Sequence, residues 1–181
     1  MIIIGIDPGT VITGIGIIET GKNLLRPVFY DAIKLDKYAY FPVRLKVIYD
    51  KILEKIDEYK PDEFAIETVF YGKNIQSALK TGQARGVSFL AAMQREIPAS
   101  EYSPREIKKA VTGNGAASKE QVSYMVQNIL KINKAPKLFD VTDALAVAIC
   151  HYNRMSSPRA KFTNWKSFIE AHPEKIIGVK K

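Results

Sequence analysis

The chain holds a single cysteine, Cys150, among its 181 residues, so no internal disulfide can brace it and its stability must come from a packed core. Flanked by Val147, Ala148 and Ile149, that thiol is expected to be buried and inert in a reduced compartment. No apolar stretch approaches the ~20 residues of a membrane span. The apolar start lacks a basic segment before it and is broken by Asp7, which is wrong for a signal peptide. The expected location is the cytoplasm. Internal repeats and low-complexity tracts are missing too, which excludes solenoids and long disordered linkers.

What is present is ordinary globular material, 46% hydrophobic and 25% charged, in a length suited to one domain. A domain of this size buries roughly 70% of the surface of its unfolded chain. The formal net charge is +8 and the pI is near 9.4, which favours a polyanionic partner, nucleic acid first. From Arg154 onward there are seven Lys/Arg against two Asp/Glu. The expected organisation is therefore a domain over residues 1–153 and a basic extension over 154–181, which holds the sole tryptophan, Trp165.

Periodicity predicts a mixed α/β domain. Ile2–Ile6 reads as a buried strand. Thr13–Glu19, a Gly21-Lys22-Asn23 turn and Leu24–Ile33 complete a three-stranded antiparallel meander. Leu45, Ile48, Ile52, Ile56 and Tyr59 fall at helical spacing and predict a helix over Pro42–Tyr59. Glu63–Glu67 follows as a short strand, and a second helix is expected from about Asn74 to Arg95. In that helix Ala78, Gly82 and Gly86 lie four apart, and glycine inside a helix costs roughly 1 kcal/mol against alanine. Close approach of another backbone is the expected compensation, from this chain or from a second copy. Pro98–Tyr102 reads as a fifth strand. Ser103-Pro104-Arg105-Glu106 and Ser118-Lys119-Glu120-Gln121 are capping boxes that open helices. Gly113-Asn114-Gly115 between them reads as a flexible turn, and a last, Ala-rich helix is expected near Asp140–Asn153.

On this skeleton Asp7 closes the first strand, Glu67 closes the fourth, and Asp140 and Asp143 stand one turn apart on the last helix. Residues at i and i+3 share a helix face, so both aspartates can face one spot. Each has an ordinary alternative: Asp before Pro-Gly caps a turn, Glu at a strand end is solvated, and two Asp opening a helix serve its dipole. Four carboxylates that one topology gathers are harder to explain that way. They stay ionised together only beside strong positive charge. Oxygen ligands without nearby Cys or His suit Mg²⁺, with Mn²⁺ as the alternative, and two such ions can clamp both the attacking and the leaving oxygen of a phosphodiester.

The motifs Ile4-Gly5-Ile6-Asp7-Pro8-Gly9-Thr10, Glu67-Thr68-Val69-Phe70-Tyr71-Gly72-Lys73-Asn74, Ala78-Leu79-Lys80 with Gly82-Gln83-Ala84-Arg85-Gly86, and Asp140-Val141-Thr142-Asp143-Ala144-Leu145-Ala146 resemble, in order, those of the RuvC family of crossover junction endodeoxyribonucleases. The resemblance implies a ribonuclease-H-like fold with a mixed five-stranded sheet, three strands antiparallel and two parallel, flanked by helices. It also implies a homodimer that nicks Holliday junctions, four-way junction DNA, symmetrically in recombination and repair, with the branch-migration proteins RuvA and RuvB as partners. By position, Asp7, Glu67, Asp140 and Asp143 match the family's metal-binding carboxylates; Asp140 stands where some relatives carry His. Phe70 matches an aromatic that contacts junction bases and Tyr71 follows it. Lys108 and Lys119 match lysines that support DNA binding and cleavage, and Lys73 and Arg85 are further candidates for phosphate contact. Stacking of such rings on unpaired bases is worth roughly 1–3 kcal/mol per base.

Three other readings compete. An Asp-x-Gly-Thr strand end also opens ATP-binding domains of the actin and sugar-kinase type, but those need two related domains and a second Asp-Gly phosphate loop, and neither is evident in this sequence. A junction-binding module without chemistry has no use for four carboxylates. A nuclease of the same fold acting on RNA–DNA hybrids is disfavoured by the Phe70-Tyr71 pair.

Overall fold

A computed structural model describes residues 1–22, 24–68 and 75–156. The element order is β1 (Ile2–Asp7), β2 (Ile12–Gly21), β3 (Leu24–Lys34), α1 (Phe41–Tyr59), β4 (Glu63–Glu67), α2 (Ile75–Met93), β5 (Ala99–Tyr102), α3 (Pro104–Thr112), α4 (Lys119–Leu130) and α5 (Phe139–Ser156). The five strands form one sheet in the order β3-β2-β1-β4-β5. β1–β2 and β2–β3 are antiparallel, and β1–β4 and β4–β5 are parallel. This is the expected ribonuclease-H-like sheet. The meander closes through short connections, and each parallel strand returns through a helix, α1 or α2.

Side-chain alternation along the strands divides the core in two. Ile4, Ile6, Ile15, Ile17, Phe64 and Ile66 face α1 and α2. Ile3, Ile18, Ala65 and Tyr102 face α3, α4 and α5. Asp7, Gly5 and Glu67 alternate onto the second face, so the carboxylates share a side with α5.

α5 reaches that face because the strands carry glycine where it crosses. A Cβ on Gly5 would collide with the carbonyl of Ala144, and one on Gly14 with the carbonyl of Asp140. On Gly16 it would stand 2.7 Å from the Leu145 nitrogen. These three glycines bring the first turn of α5 down beside the end of β1, where Gly14 is the register partner of Asp7.

Of the two alternatives for the glycines of α2, packing within the chain is corrected. Gly82 and Gly86 of α2 have nothing within 4 Å of the position a Cβ would take, so no backbone among the described residues compensates them. The close approach falls on the strand glycines under α5 instead, because helix-on-sheet packing is closest where the sheet lacks side chains. The Gly113-Asn114-Gly115 turn is also held rather than loose. Gly113 takes the left-handed conformation (φ +78) that ends α3. Thr112 Oγ1 donates to the Asn114 carbonyl, and Asn114 Oδ1 accepts from the Ala116 amide. Both capping boxes form as read.

Candidate active site

Parallel pairing of β1 with β4 sets Ile6 opposite Ile66, so Asp7 and Glu67 leave neighbouring strands at the same sheet edge. The Asp7-Pro8-Gly9-Thr10 turn is fastened behind the first of them. Thr13 Oγ1 donates to the Gly9 carbonyl at 2.8 Å and accepts from the Gly9 amide at 3.2 Å. Arg44, from α1, donates to the Thr10 and Tyr38 carbonyls at 2.9 and 2.7 Å. Neither Thr13 nor Arg44 is conspicuous in the sequence, since a Thr in a strand and an Arg in a helix announce no long-range partner.

Asp7, Glu67 and Asp143 line a cleft of about 230 Å³ with Lys108 and Lys119; Pro104, Ile107 and Val122 complete its wall. Asp140 is not among the residues that line it, though its charge acts on Asp7, Asp143 and Lys119. The capping box at Ser118 starts α4 so that Lys119, in its first turn, donates to Asp143 Oδ2 at 2.9 Å.

The electrostatics follow from crowding acids in a partly dry cleft. Burial, then the charges of Glu67, Asp143 and Asp140, push the Asp7 carboxyl well above its ordinary range against the pull of Lys119. Burial and Asp143 push Glu67 up to about 7, with Lys119 and Lys108 opposing. Asp143 is raised by burial despite its bond to Lys119. Burial draws the Lys119 ammonium down, but its bond to Asp143 and the surrounding carboxylates outweigh that and raise it. Elsewhere Cys150 is buried, as expected, and burial pushes its thiol up to about 12.

Of the remaining sequence candidates, Arg85 is not gathered here. Arg85 pairs with Glu101 at 3.2 Å and lies over the Phe89 ring, on α2 and outside the lining of the cleft. Phe70, Tyr71 and Lys73 lie outside the described residues, as does Trp165.

A sheet ordered this way, with acids closing its first and fourth strands and a helix laying two more beside them, is the architecture of the ribonuclease-H-like nucleases. Comparison narrows the class. The family described as crossover junction endodeoxyribonuclease RuvC matches residues 3–151. The RuvC proteins of Christiangramia forsetii and Porphyromonas gingivalis are 48% and 46% identical, each over 97% of this chain, and 92% and 96% of their own lengths are covered. Thermus thermophilus RuvC, solved in complex with a Holliday junction substrate, superposes with a TM-score of 0.79 at 32% identity, over 86% of this chain and 96% of that one. The chain belongs to the RuvC family of crossover junction endodeoxyribonucleases.

Proposed function

We propose that this protein resolves Holliday junctions in homologous recombination and repair, hydrolysing one phosphodiester bond in each of two strands. One observation carries the reading. Acids from β1, β4 and α5, distant in sequence, meet two lysines in a single cleft, in a chain related along nearly its full length to crossover junction endodeoxyribonucleases.

The donor chemistry of the cleft fits hard divalent cations: carboxylate oxygens with no His or Cys among the described residues that line it, three of them driven toward protonation by burial and by neighbouring acids. Among the described residues no three such side chains are placed together as ligands for a metal ion, and acids repel one another where no cation lies between them. Asp7, Glu67, Asp140 and Asp143 would hold two Mg²⁺ ions, or Mn²⁺ in their place, which when bound supply Lewis-acid charge to the scissile phosphate. Lys119 neutralises Asp143 and, with Lys108, turns ammonium charge toward the phosphate. Water adds to phosphorus as the bond to the 3′ oxygen breaks, leaving a 3′-hydroxyl and a 5′-phosphate. Phe70 and Tyr71, three and four residues past Glu67, suit stacking on bases unpaired at the crossover, with Lys73 beside them.

Paired cuts call for two sites at a fixed separation, and a two-fold homodimer provides them. Its support is the outward face of α2. There Ile75, Leu79, Leu90 and Met93 are 67%, 59%, 55% and 49% exposed in helical register with the open Gly82 and Gly86. Residues 1–153 form the nuclease domain and 154–181 a basic extension. RuvA and RuvB proteins are the expected branch-migration partners, and the cytoplasm the expected location. Among the described residues no helix is long and apolar enough to cross a membrane.

The test is to incubate the protein with a synthetic four-way junction, the matched duplex and an RNA–DNA hybrid, with and without Mg²⁺. Paired nicks near the crossover should appear on the junction alone and only with the ion. Asp7→Asn should bring cleavage below detection and keep the circular dichroism spectrum; an Asp7→Asn protein that still cuts would end this reading.

A further inference from the structure

Behind the cleft lies a buried polar chain that the cleavage chemistry does not use. Tyr102 ends β5 and His151 sits near the end of α5; they are 5% and 3% exposed. The Tyr102 hydroxyl and His151 Nδ1 are 2.7 Å apart, with the rings edge to face at 5.7 Å. On the other side of the imidazole, Nε2 stands 3.4 Å from Glu63 Oε2, close enough for attraction but without hydrogen-bond geometry, so Nε2 is buried without a partner.

Burial lowers the His151 pKa, with Glu63 opposing, and raises that of Tyr102. The ring is therefore neutral and the phenol protonated. Tyr102 donates to Nδ1, and the imidazole proton sits on Nε2, facing Glu63.

The three residues join the elements that carry the acids. Glu63 opens β4, the strand that ends in Glu67. Tyr102 is the register partner of Glu67, and its carbonyl accepts the Thr68 amide at 2.8 Å. His151 is on α5, eight residues beyond Asp143. The rest of the α5–sheet contact is apolar, small alanines over glycines, and apolar contact is not directional. Among the described residues, the other polar side-chain ties of α5 to the rest of the chain run to α3 and α4: Asn153 to the Ala110 carbonyl, Arg154 to Glu106, and Asp143 to Lys119. Among the described residues, the Tyr102–His151–Glu63 chain is thus the polar side-chain tie that runs from α5 to β4 and β5. A slip of about 1 Å at a catalytic constellation costs on the order of a hundredfold in rate.

We propose that Tyr102 and His151 are positioning residues for the acidic cleft, holding Asp140 and Asp143 at the distance from Glu67 at which the acids can close on divalent cations. The proposal rests on the metal-binding reading of that cleft.

Tyr102→Phe removes the hydroxyl and keeps the ring. Three quantities test it on the full chain: Mn²⁺ affinity by calorimetry, the Mg²⁺ concentration for half-maximal junction cleavage, and junction binding in chelator. Removing a support behind metal ligands costs about 10–100-fold in metal affinity or activity. Tyr102→Phe should weaken Mn²⁺ and raise the Mg²⁺ requirement about tenfold, with chelator-phase junction binding within about twofold of the parent. His151→Asn, which can still accept from the phenol, should lose less than His151→Leu, which cannot. Should Tyr102→Phe fail to fold, Glu63→Ala, at the strand start, is read by the same three quantities with a smaller shift in the same direction. Unchanged metal affinity in a folded variant overturns the proposal, and so does loss of junction binding in step with metal affinity, the mark of general damage. A parent protein that neither binds Mn²⁺ nor needs a divalent ion to cut overturns the metal reading itself, whatever the variants do.

Discussion

α5 and α2 lie on opposite faces of one sheet, and small residues in both sequences announce close packing, yet the two faces end differently. Under α5 the glycines are in the strands, and alanines of the helix descend onto them until a single added methyl would strike backbone. In α2 the glycines are in the helix, turned away from its buried Ala84, Ser88, Ala91 and Ala92, and meet nothing within 4 Å. A small residue therefore signals an approach without saying which surface approaches. α5 is a wall of the acidic cleft; the outer face of α2 stays open among the described residues.

The sharpest way to break this contrast is Gly14→Ala. Its Cβ would overlap the Asp140 carbonyl, which is backbone and cannot turn aside, so α5 must lift at the turn that carries the acids. The expected loss is about 3 kcal/mol or more, in the far tail of point substitutions, seen as a fall in the denaturation midpoint together with loss of junction cleavage. An Ala variant as stable and active as the parent would mean that α5 does not sit this close.

Proton linkage probes the α5 side next. Glu67 titrates at about 7 in the folded chain against about 4.3 unfolded, so the native state binds more protons between these values. Without metal, the stability Glu67 contributes is full below about pH 4 and is lost as pH rises through about 7. The change is about 2–4 kcal/mol by the same linkage. Chemical denaturation in chelator at pH 5, 6, 7 and 8 should show this decline, and Glu67→Gln should flatten it. A parent curve flat over that range contradicts the electrostatics assigned to the cleft.

The smallest effect belongs to α2. Gly82→Ala adds a methyl to open space inside a helix and should stabilise the isolated protomer by about 1 kcal/mol, with no effect on the pH profile. If two copies meet through this face, the same methyl weakens their association, so sedimentation and denaturation should move in opposite directions. A variant that dimerises as the parent does would place the seam elsewhere.

How much was legible varies with the range of the interaction responsible. β4 is found residue for residue, because Glu63–Glu67 is an apolar run bounded by a Lys60-Pro61-Asp62 stop and a change of pattern. α3 and α4 begin where Ser103 and Ser118 say, since a capping box is settled within four residues. Asp7, Glu67 and Asp143 were legible as a group because strand ends and helix turns have fixed periods. Thr13 and Arg44, which fasten the Asp7 turn, and Tyr102 with His151 were not. Their partners lie 4 to 49 residues away, and nothing local separates a phenol that will meet an imidazole from one that only fills a core. Arg85 shows the reverse, a charge in a telling motif that the fold pairs with Glu101.

By itself, then, the amino-acid order determined the strands and helices, their sequence along the chain and which acids stand at their ends, because hydrogen-bonding period, capping and apolar alternation act over a few residues. Only the tertiary structure decided how near α5 comes to β1, how far Glu67 is driven from its usual proton affinity, and that the glycines of α2 face outward. Those depend on distances between surfaces that are remote in the chain, where packing and the loss of water set the energy.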